Sequence, residues 1–264
     1  MYNFEYHRPK SVADAVAALK KASDGKFLAG GQTLLPTMKQ RLAQPSDIID
    51  LSGVSELQRI KVDGKTLTIG AMVKHSEVAS SPEVAKAIPG LSEMAKLIGD
   101  PQVRNLGTLG GSIANADPAA DYPAAVVGLN ATVKTSQRSI PGGEFFKGIF
   151  TTALKEDEII VSVSFEIPEK SGYEKFRNPA SRFAMVGVFV AKSASGVRVA
   201  VTGAGPSVFR VKAMEDALAK DFSAKAVEGI KVPASGLNSD IHGGAEYRAH
   251  LVTVMAKRAV AGAR

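Results

Sequence analysis

The 264-residue chain contains no cysteine. That excludes disulfides, a thiolate nucleophile and any iron–sulfur cluster held by cysteines of this chain. Aromatic residues make up only 6% of it. That is too few to furnish a surface on which nucleobases stack, so nucleic acid is not expected as a partner. No apolar run approaches the roughly 20 residues that cross a bilayer, so no membrane span is expected. The opening stretch Met1-Tyr2-Asn3-Phe4-Glu5-Tyr6-His7 lacks the basic start and apolar run of a secretory signal. With the missing cysteines, this leads to the expectation of a cytoplasmic protein. Familiar chemical motifs are missing too. Neither G-x-G-x-x-G nor G-x-x-x-x-G-K-S/T occurs, which removes the Rossmann and P-loop fingerprints. The four histidines, His7, His75, His242 and His250, lie far apart without metal-ligand spacing. There is no Ser–His–Asp arrangement and no paired-carboxylate motif. No catalytic residue and no metal ligand is therefore assigned.

What is present points to an ordinary globular chain. Hydrophobic residues make up 45%, enough for a sizeable core, and the length suits one large domain or two of ordinary size. The net charge is +7. Its positive residues are scattered, the densest pairs being Lys20-Lys21 and Lys257-Arg258, which reads as a solvated surface.

Helix and strand signals alternate along the chain. Ser11 to Ala22 predicts a helix that Ser11 can cap, with Val12, Val16 and Leu19 on one face. Lys26 to Ala29 predicts a strand running into Gly30-Gly31, followed by a helical turn over Thr33 to Arg41 and a second strand at Asp47 to Leu51. The first fifty residues thus form a small α/β unit. Leu57 to Ile69 predicts a hairpin turning at Asp63-Gly64. Glu83 to Ile98 is helical in composition, interrupted at Pro89-Gly90. Gly107 to Ser112 is expected to be a loop, Ala131 to Thr135 and Ile159 to Phe165 strands. Composition places a boundary near Lys170-Ser171-Gly172. Beyond it come strands at Phe183 to Ala191 and Val197 to Thr202, then helices at Lys212 to Lys220 and Tyr247 to Ala261.

Two glycine-rich segments are where chemistry is expected. The first is Leu28-Ala29-Gly30-Gly31-Gln32-Thr33-Leu34-Leu35. Paired glycines after a strand strip side chains from the backbone surface, and successive N–H groups can then cup a phosphate. The second is Thr108-Leu109-Gly110-Gly111-Ser112, followed by Asn115, Asp117 and Asp121. Asp121 can accept a hydrogen bond from a ribityl or ribose hydroxyl. Equally, Asp117 and Asp121 can cap a helix that begins near Asp121-Tyr122-Pro123. Two such segments suit a dinucleotide, with two phosphates, held between two sub-domains.

The chain resembles the medium, FAD-binding subunits of the xanthine dehydrogenase and aerobic carbon monoxide dehydrogenase family of molybdenum hydroxylases. The resemblance runs through Tyr6-His7-Arg8-Pro9-Lys10-Ser11, Ala29 to Pro36, Met38-Lys39 with Arg41, and Ile69-Gly70-Ala71. It is densest over Asp100-Pro101-Gln102-Val103-Arg104-Asn105, Gly107 to Ser112, and Ala116-Asp117-Pro118 to Asp121-Tyr122-Pro123. It resumes at Tyr173-Glu174-Lys175 and at Glu246-Tyr247-Arg248. It implies an α+β chain: a two-lobed FAD-binding domain of the vanillyl-alcohol-oxidase (PCMH) type, then a smaller α/β C-terminal domain. Residues 1–175 would form the first (1–54 and 55–175 its lobes) and residues 176–264 the second.

The resemblance also implies that the two glycine segments bind the FAD pyrophosphate and its surroundings. Ile98 would make an apolar cofactor contact, Asp121 would match the family's FAD-contacting aspartate, and Ile160 and Lys175 would make further contacts. Phe183 falls where carbon monoxide dehydrogenase-like members carry a tyrosine near the flavin ring. It can pack on the ring but has no hydroxyl to donate. Those members look like Ala-Gly-Gly-His-Ser in the first segment, where this chain has Gln32 and Thr33. Both departures bear on carbon monoxide as substrate and leave FAD binding intact. The implied function is electron transfer through FAD. Iron–sulfur clusters would come from a small subunit and the molybdenum cofactor from a large one, in a heterotrimer or its dimer, with a soluble electron acceptor. A self-sufficient FAD-dependent oxidase is the alternative, but it needs a base for its own substrate beside the flavin.

Overall fold

The computed structural model describes residues 1–264. The first lobe is a three-stranded parallel sheet in the order Glu5–His7, Asp47–Asp50, Gly25–Leu28. The helix Val12–Lys21 crosses between its first two strands in sequence, and the Ser11 side chain accepts the Asp14 N–H at 3.1 Å. This is the expected N-cap, which satisfies one of the helix's orphan donors. Ala15, Ile49, Leu51, Val54 and Leu57 share one small core with Met72 and Ile159. Because those last two belong to the next lobe, burial itself welds the two lobes together.

The second lobe is a five-stranded antiparallel sheet in the order Ile60–Asp63, Thr66–Gly70, Ile160–Glu166, Thr132–Thr135, Ser139–Pro141. Its first hairpin turns at Asp63-Gly64, as the sequence predicts, with Gly64 at φ +56°. Six short helices lie between the second and fourth of these strands, from His75–Ser80 to Tyr122–Gly128. Tyr122, Phe145, Phe165 and Leu91 are fully buried among them.

The last lobe is a four-stranded antiparallel sheet in the order Lys170–Arg177, Ala184–Ser193, Gly196–Thr202, Phe209–Arg210, backed by helices Lys212–Lys220 and Ala245–Ala261. Strand side chains alternate between faces, and the second strand uses both. Val186, Val188 and Val190 pack with Val252, Met255 and Ala256 of the long helix. Phe189 and Ala191 point the other way, into the core of the second lobe. Such a strand, buried on both faces, reads as the near-continuous apolar run seen in the sequence. The strand Lys170–Arg177 pairs along its length with Ala184–Ser193. A domain division after residue 175 would cut it, whereas one before Lys170 leaves the sheet whole.

One expectation fails. Gly107 to Ser112 is not a loop throughout, since a helix begins at Leu109 and runs to Asn115. Thr108 caps it by accepting the Gly111 N–H at 3.1 Å. Two glycines in the first turn disfavour a helix. Here close packing decides, because a Cβ on Gly110 would lie 2.5 Å from the Cβ of Ala71.

Candidate functional site

A cavity of about 660 Å³ opens where the three lobes meet, within the roughly 300–1,000 Å³ usual for cofactor sites. From the first lobe it is lined by Leu28, Ala29, Gly30, Gly31, Gln32, Thr33 and Leu34. From the second it takes Ile98, Thr108, Gly110, Gly111, Ser112, Asn115, Asp117, Asp121 and Ile160, and Phe183 comes from the edge of the last lobe. Two expected residues lie outside the lining. Leu35 tucks under the first glycine segment, where a Cβ on Gly31 would meet its Cδ1 at 2.7 Å. Lys175 sits behind Asp121 with its side chain 1% exposed.

The two glycine segments do different work. In the first, the N–H groups of Ala29, Gly30, Gly31, Gln32 and Thr33 have no acceptor anywhere in the chain. Backbone donors seldom go unpaired except toward water or a ligand, and a run of them beside a cavity can take a phosphate. In the second, the donors from Leu109 to Ser112 are spent. Leu109 N–H donates to Val73, Gly110 N–H to Ala71, and Gly111 N–H to the Thr108 hydroxyl. This segment instead lets backbone come close. A Cβ on Gly111 would stand 3.0 Å from Thr108 Oγ1 and 3.2 Å from the Cβ of Ala29, in the gap between the two segments.

Asp121 occupies the N-cap position of helix Tyr122–Gly128, but its side chain makes no capping bond. It accepts from the Tyr173 hydroxyl at 2.5 Å and from Lys175 Nζ at 2.9 Å. Burial drives its carboxyl above the usual range, against the Lys175 charge and the Tyr173 hydrogen bond, which pull it down. Asp117 accepts the Ala119 N–H at 2.8 Å and shapes the turn leading to it.

Other lining residues carried no sequence signal. Phe27, Leu51, Met72, Leu154 and Ile159 add apolar wall. Glu158 is buried and accepts from Thr135 Oγ1 at 2.6 Å, from Arg138 Nε at 3.0 Å and from the Lys155 N–H at 2.9 Å. Burial pushes its carboxyl up, but these donors overcome it and hold it at about 2. His75 also lines the cavity, and its Nδ1 has no partner. Neither has the hydroxyl of Tyr122, whose ring lies 5.3 Å away. Burial, with Arg104 adding to it, lowers the imidazole to about 4, so His75 is neutral at neutral pH. Nothing in the sequence around His75 marks it as a cavity residue.

Free backbone donors, a gap that a Cβ would fill, apolar walls and a buried carboxylate make a donor set that fits a phosphate-bearing flavin dinucleotide. Comparison with known proteins agrees. A family described as the FAD binding domain in molybdopterin dehydrogenase matches residues 2–170. The carbon monoxide dehydrogenase medium chain of Hydrogenophaga pseudoflava is 41% identical, over 78% of this chain and 77% of that one. The nicotine 6-hydroxylase medium subunit of Paenarthrobacter nicotinovorans is 39% identical, over 98% and 97%. Among solved structures, quinoline 2-oxidoreductase from Pseudomonas putida 86 matches with a TM-score of 0.88 at 31% identity, over 98% of this chain and 96% of that one. The chain belongs to the FAD-binding family of the molybdopterin dehydrogenases and is an FAD-carrying oxidoreductase subunit.

Proposed function

We propose that this subunit carries electrons from partner 2Fe–2S clusters to an external soluble acceptor, and that the reducing substrate is oxidised elsewhere in the complex. The partners on this reading are a small iron–sulfur subunit and a large molybdenum-cofactor subunit, in a heterotrimer or its dimer. The observation that carries it is the cavity's donor set. The N–H groups from Ala29 to Thr33 are unpaired, and their residues line a space walled largely by apolar side chains. The only imidazole on that wall, His75, stays neutral down to about pH 4 and is packed against Tyr122.

Each residue then has a part. The N–H groups from Ala29 to Thr33 bind the pyrophosphate. Thr108, Ser112 and Asn115 offer polar side chains beside it, and Gly110 and Gly111 let the backbone approach. Asp121 accepts from a cofactor hydroxyl, while Lys175 supports Asp121 from behind. Ile98, Ile160 and Phe183 supply apolar contact, and Phe183, 47% exposed, leaves the cavity edge open to an acceptor. Bound FAD supplies the redox chemistry, taking electrons singly and giving them up as a pair, while the protein binds and orients it. Relatives named for carbon monoxide, nicotine and quinoline share 31–41% identity with this chain. That breadth favours a substrate choice made on another subunit.

Purification from the native source tests the proposal. FAD, iron, sulfide and molybdenum should co-purify with two further chains. A lone flavoprotein that turns over an alcohol or amine would overturn it in favour of a self-sufficient oxidase.

A further inference from the structure

The last lobe holds the Asp117–Asp121 side of the cavity through a dense set of bonds. Thr202 Oγ1 lies 2.9 and 2.6 Å from the Pro118 and Ala120 carbonyl oxygens and donates its one proton between them. Gly203 N–H donates to Pro118 at 2.8 Å, and Ala184 N–H to Ala119 at 3.3 Å. Tyr173 and Lys175, two residues apart on the strand Lys170–Arg177, reach the Asp121 carboxylate from one face. That spacing puts both on the same side of the sheet.

Tyr173 is built in with unusual closeness. It is 6% exposed and belongs to the core of the second lobe. Its hydroxyl passes over Gly187 on the neighbouring strand, where a Cβ would stand 2.3 Å from the oxygen. Only a glycine there allows the phenol to reach Asp121. Lys175 Nζ also donates to the Leu97 carbonyl at 2.8 Å, beside the cavity residue Ile98. The carboxylate is thus set by two groups of a lobe that otherwise contributes little to the cavity.

We propose that Tyr173 is a positioning residue for FAD: its hydroxyl fixes the Asp121 carboxylate in the cofactor-binding orientation, so the C-terminal sheet governs how the second lobe holds the flavin. This rests on the reading of Asp121 as a cofactor contact. A buried carboxylate with one short donor and one ammonium has little freedom to turn. Removing the phenol leaves Lys175 alone on it, and a buried acceptor that loses a partner incurs a desolvation cost. Burial and the Asp121 charge both keep the Tyr173 phenol protonated, so it remains a donor. Its hydrogen bond favours the ionised form of Asp121. Tyr122 and Glu174 are the other ionisable groups felt by this pair, and the cavity wall adds Lys26, His75, Asp117, Glu158 and Arg182.

The test follows FAD release from the FAD-loaded complex by flavin fluorescence across a falling pH series. Tyr173→Phe should weaken FAD retention about ten-fold, the usual scale for a lost charge-assisted hydrogen bond. Its acid release midpoint should move to higher pH, because Asp121 then takes up a proton more readily. Replacing Tyr173 by 3,5-difluorotyrosine keeps the shape and makes a stronger donor, so its midpoint should move the other way. That variant also serves if the phenylalanine chain does not fold. Asp121→Asn should lose the acid transition, and adding Tyr173→Phe to it should change nothing further. If Asp121→Asn alters FAD release but both Tyr173 variants keep the wild-type midpoint, Tyr173 is packing alone and the proposal fails. If Asp121→Asn releases FAD as the wild type does, the reading of Asp121 fails, and the proposal with it.

Discussion

Gly30 and Gly107 meet backbone to backbone. A Cβ on Gly30 would lie 2.6 Å from the Cα of Gly107 and 2.2 Å from the Leu106 carbonyl oxygen. On the far side of Gly107, a Cβ would lie 2.6 Å from Nε2 of His75. The first lobe, the second glycine segment and the buried imidazole are therefore stacked without room for a methyl group.

Gly30→Ala should force the lobes apart. Overpacking against backbone costs about 1–3 kcal/mol, and the denaturant midpoint of the purified chain should fall accordingly. The FAD-to-chain ratio should fall further than the midpoint, since the free N–H run moves with the lobe. An unchanged ratio would show that the contact does not set the cofactor site.

Gly111→Val is milder on the lobes than Gly30→Ala, because its Cβ would meet side-chain atoms at 3.0 and 3.2 Å where that of Gly30 meets backbone at 2.2–2.7 Å. Its side chain would enter the gap between Thr108 and Ala29, where cofactor and backbone must come close. The expected result is a chain with wild-type circular dichroism and no retained flavin.

His75 makes stability depend on pH in one direction. Its pKa falls from 6.5 in the unfolded chain to about 4 when folded. The unfolded chain therefore binds more protons between those values, and stability declines as pH drops through the window. The full loss is about 3 kcal/mol. His75→Leu should remove that part of the decline, which denaturant midpoints at neutral pH and at the foot of the window would show.

Glu158 has the same direction of dependence at lower pH. Its carboxyl is held at about 2 against an ordinary 4.5, so its contribution is complete above 4.5 and is lost as pH falls toward 2. Glu158→Ala also strips Lys155 N–H and Arg138 of their acceptor. At neutral pH it should lower stability by roughly 2–3 kcal/mol, measured by urea unfolding.

Much of this was legible along the chain, where the signals are local. Ser11 caps its helix as read, Asp63-Gly64 turns its hairpin, and the expected helix Lys212 to Lys220 matches the observed one. What escaped depends on contacts distant in sequence. The helix after Thr108 keeps a glycine at 110 because Ala71, nearly forty residues upstream, leaves no room for a side chain there. Tyr173 finds Asp121 across 52 residues, and no spacing announces a pair joined only where a strand of one lobe meets the start of a helix in another. The strand Lys170–Arg177 was hidden because Ser171-Gly172 reads as a break, while its pairing with Ala184–Ser193 overrides that local weakness.

The most direct test of the electron-transfer account uses the Gly111→Val complex, purified with its partners but without flavin. Carbon monoxide, nicotine and quinoline are the first reductants to try, and whichever bleaches the wild-type iron–sulfur spectrum is carried forward. In the flavin-free complex, that reductant should still bleach the clusters at the wild-type rate, while reduction of an external acceptor should stop. If losing the flavin also abolishes cluster reduction, or if the acceptor is still reduced at full rate, this subunit is not the exit through which the electrons pass.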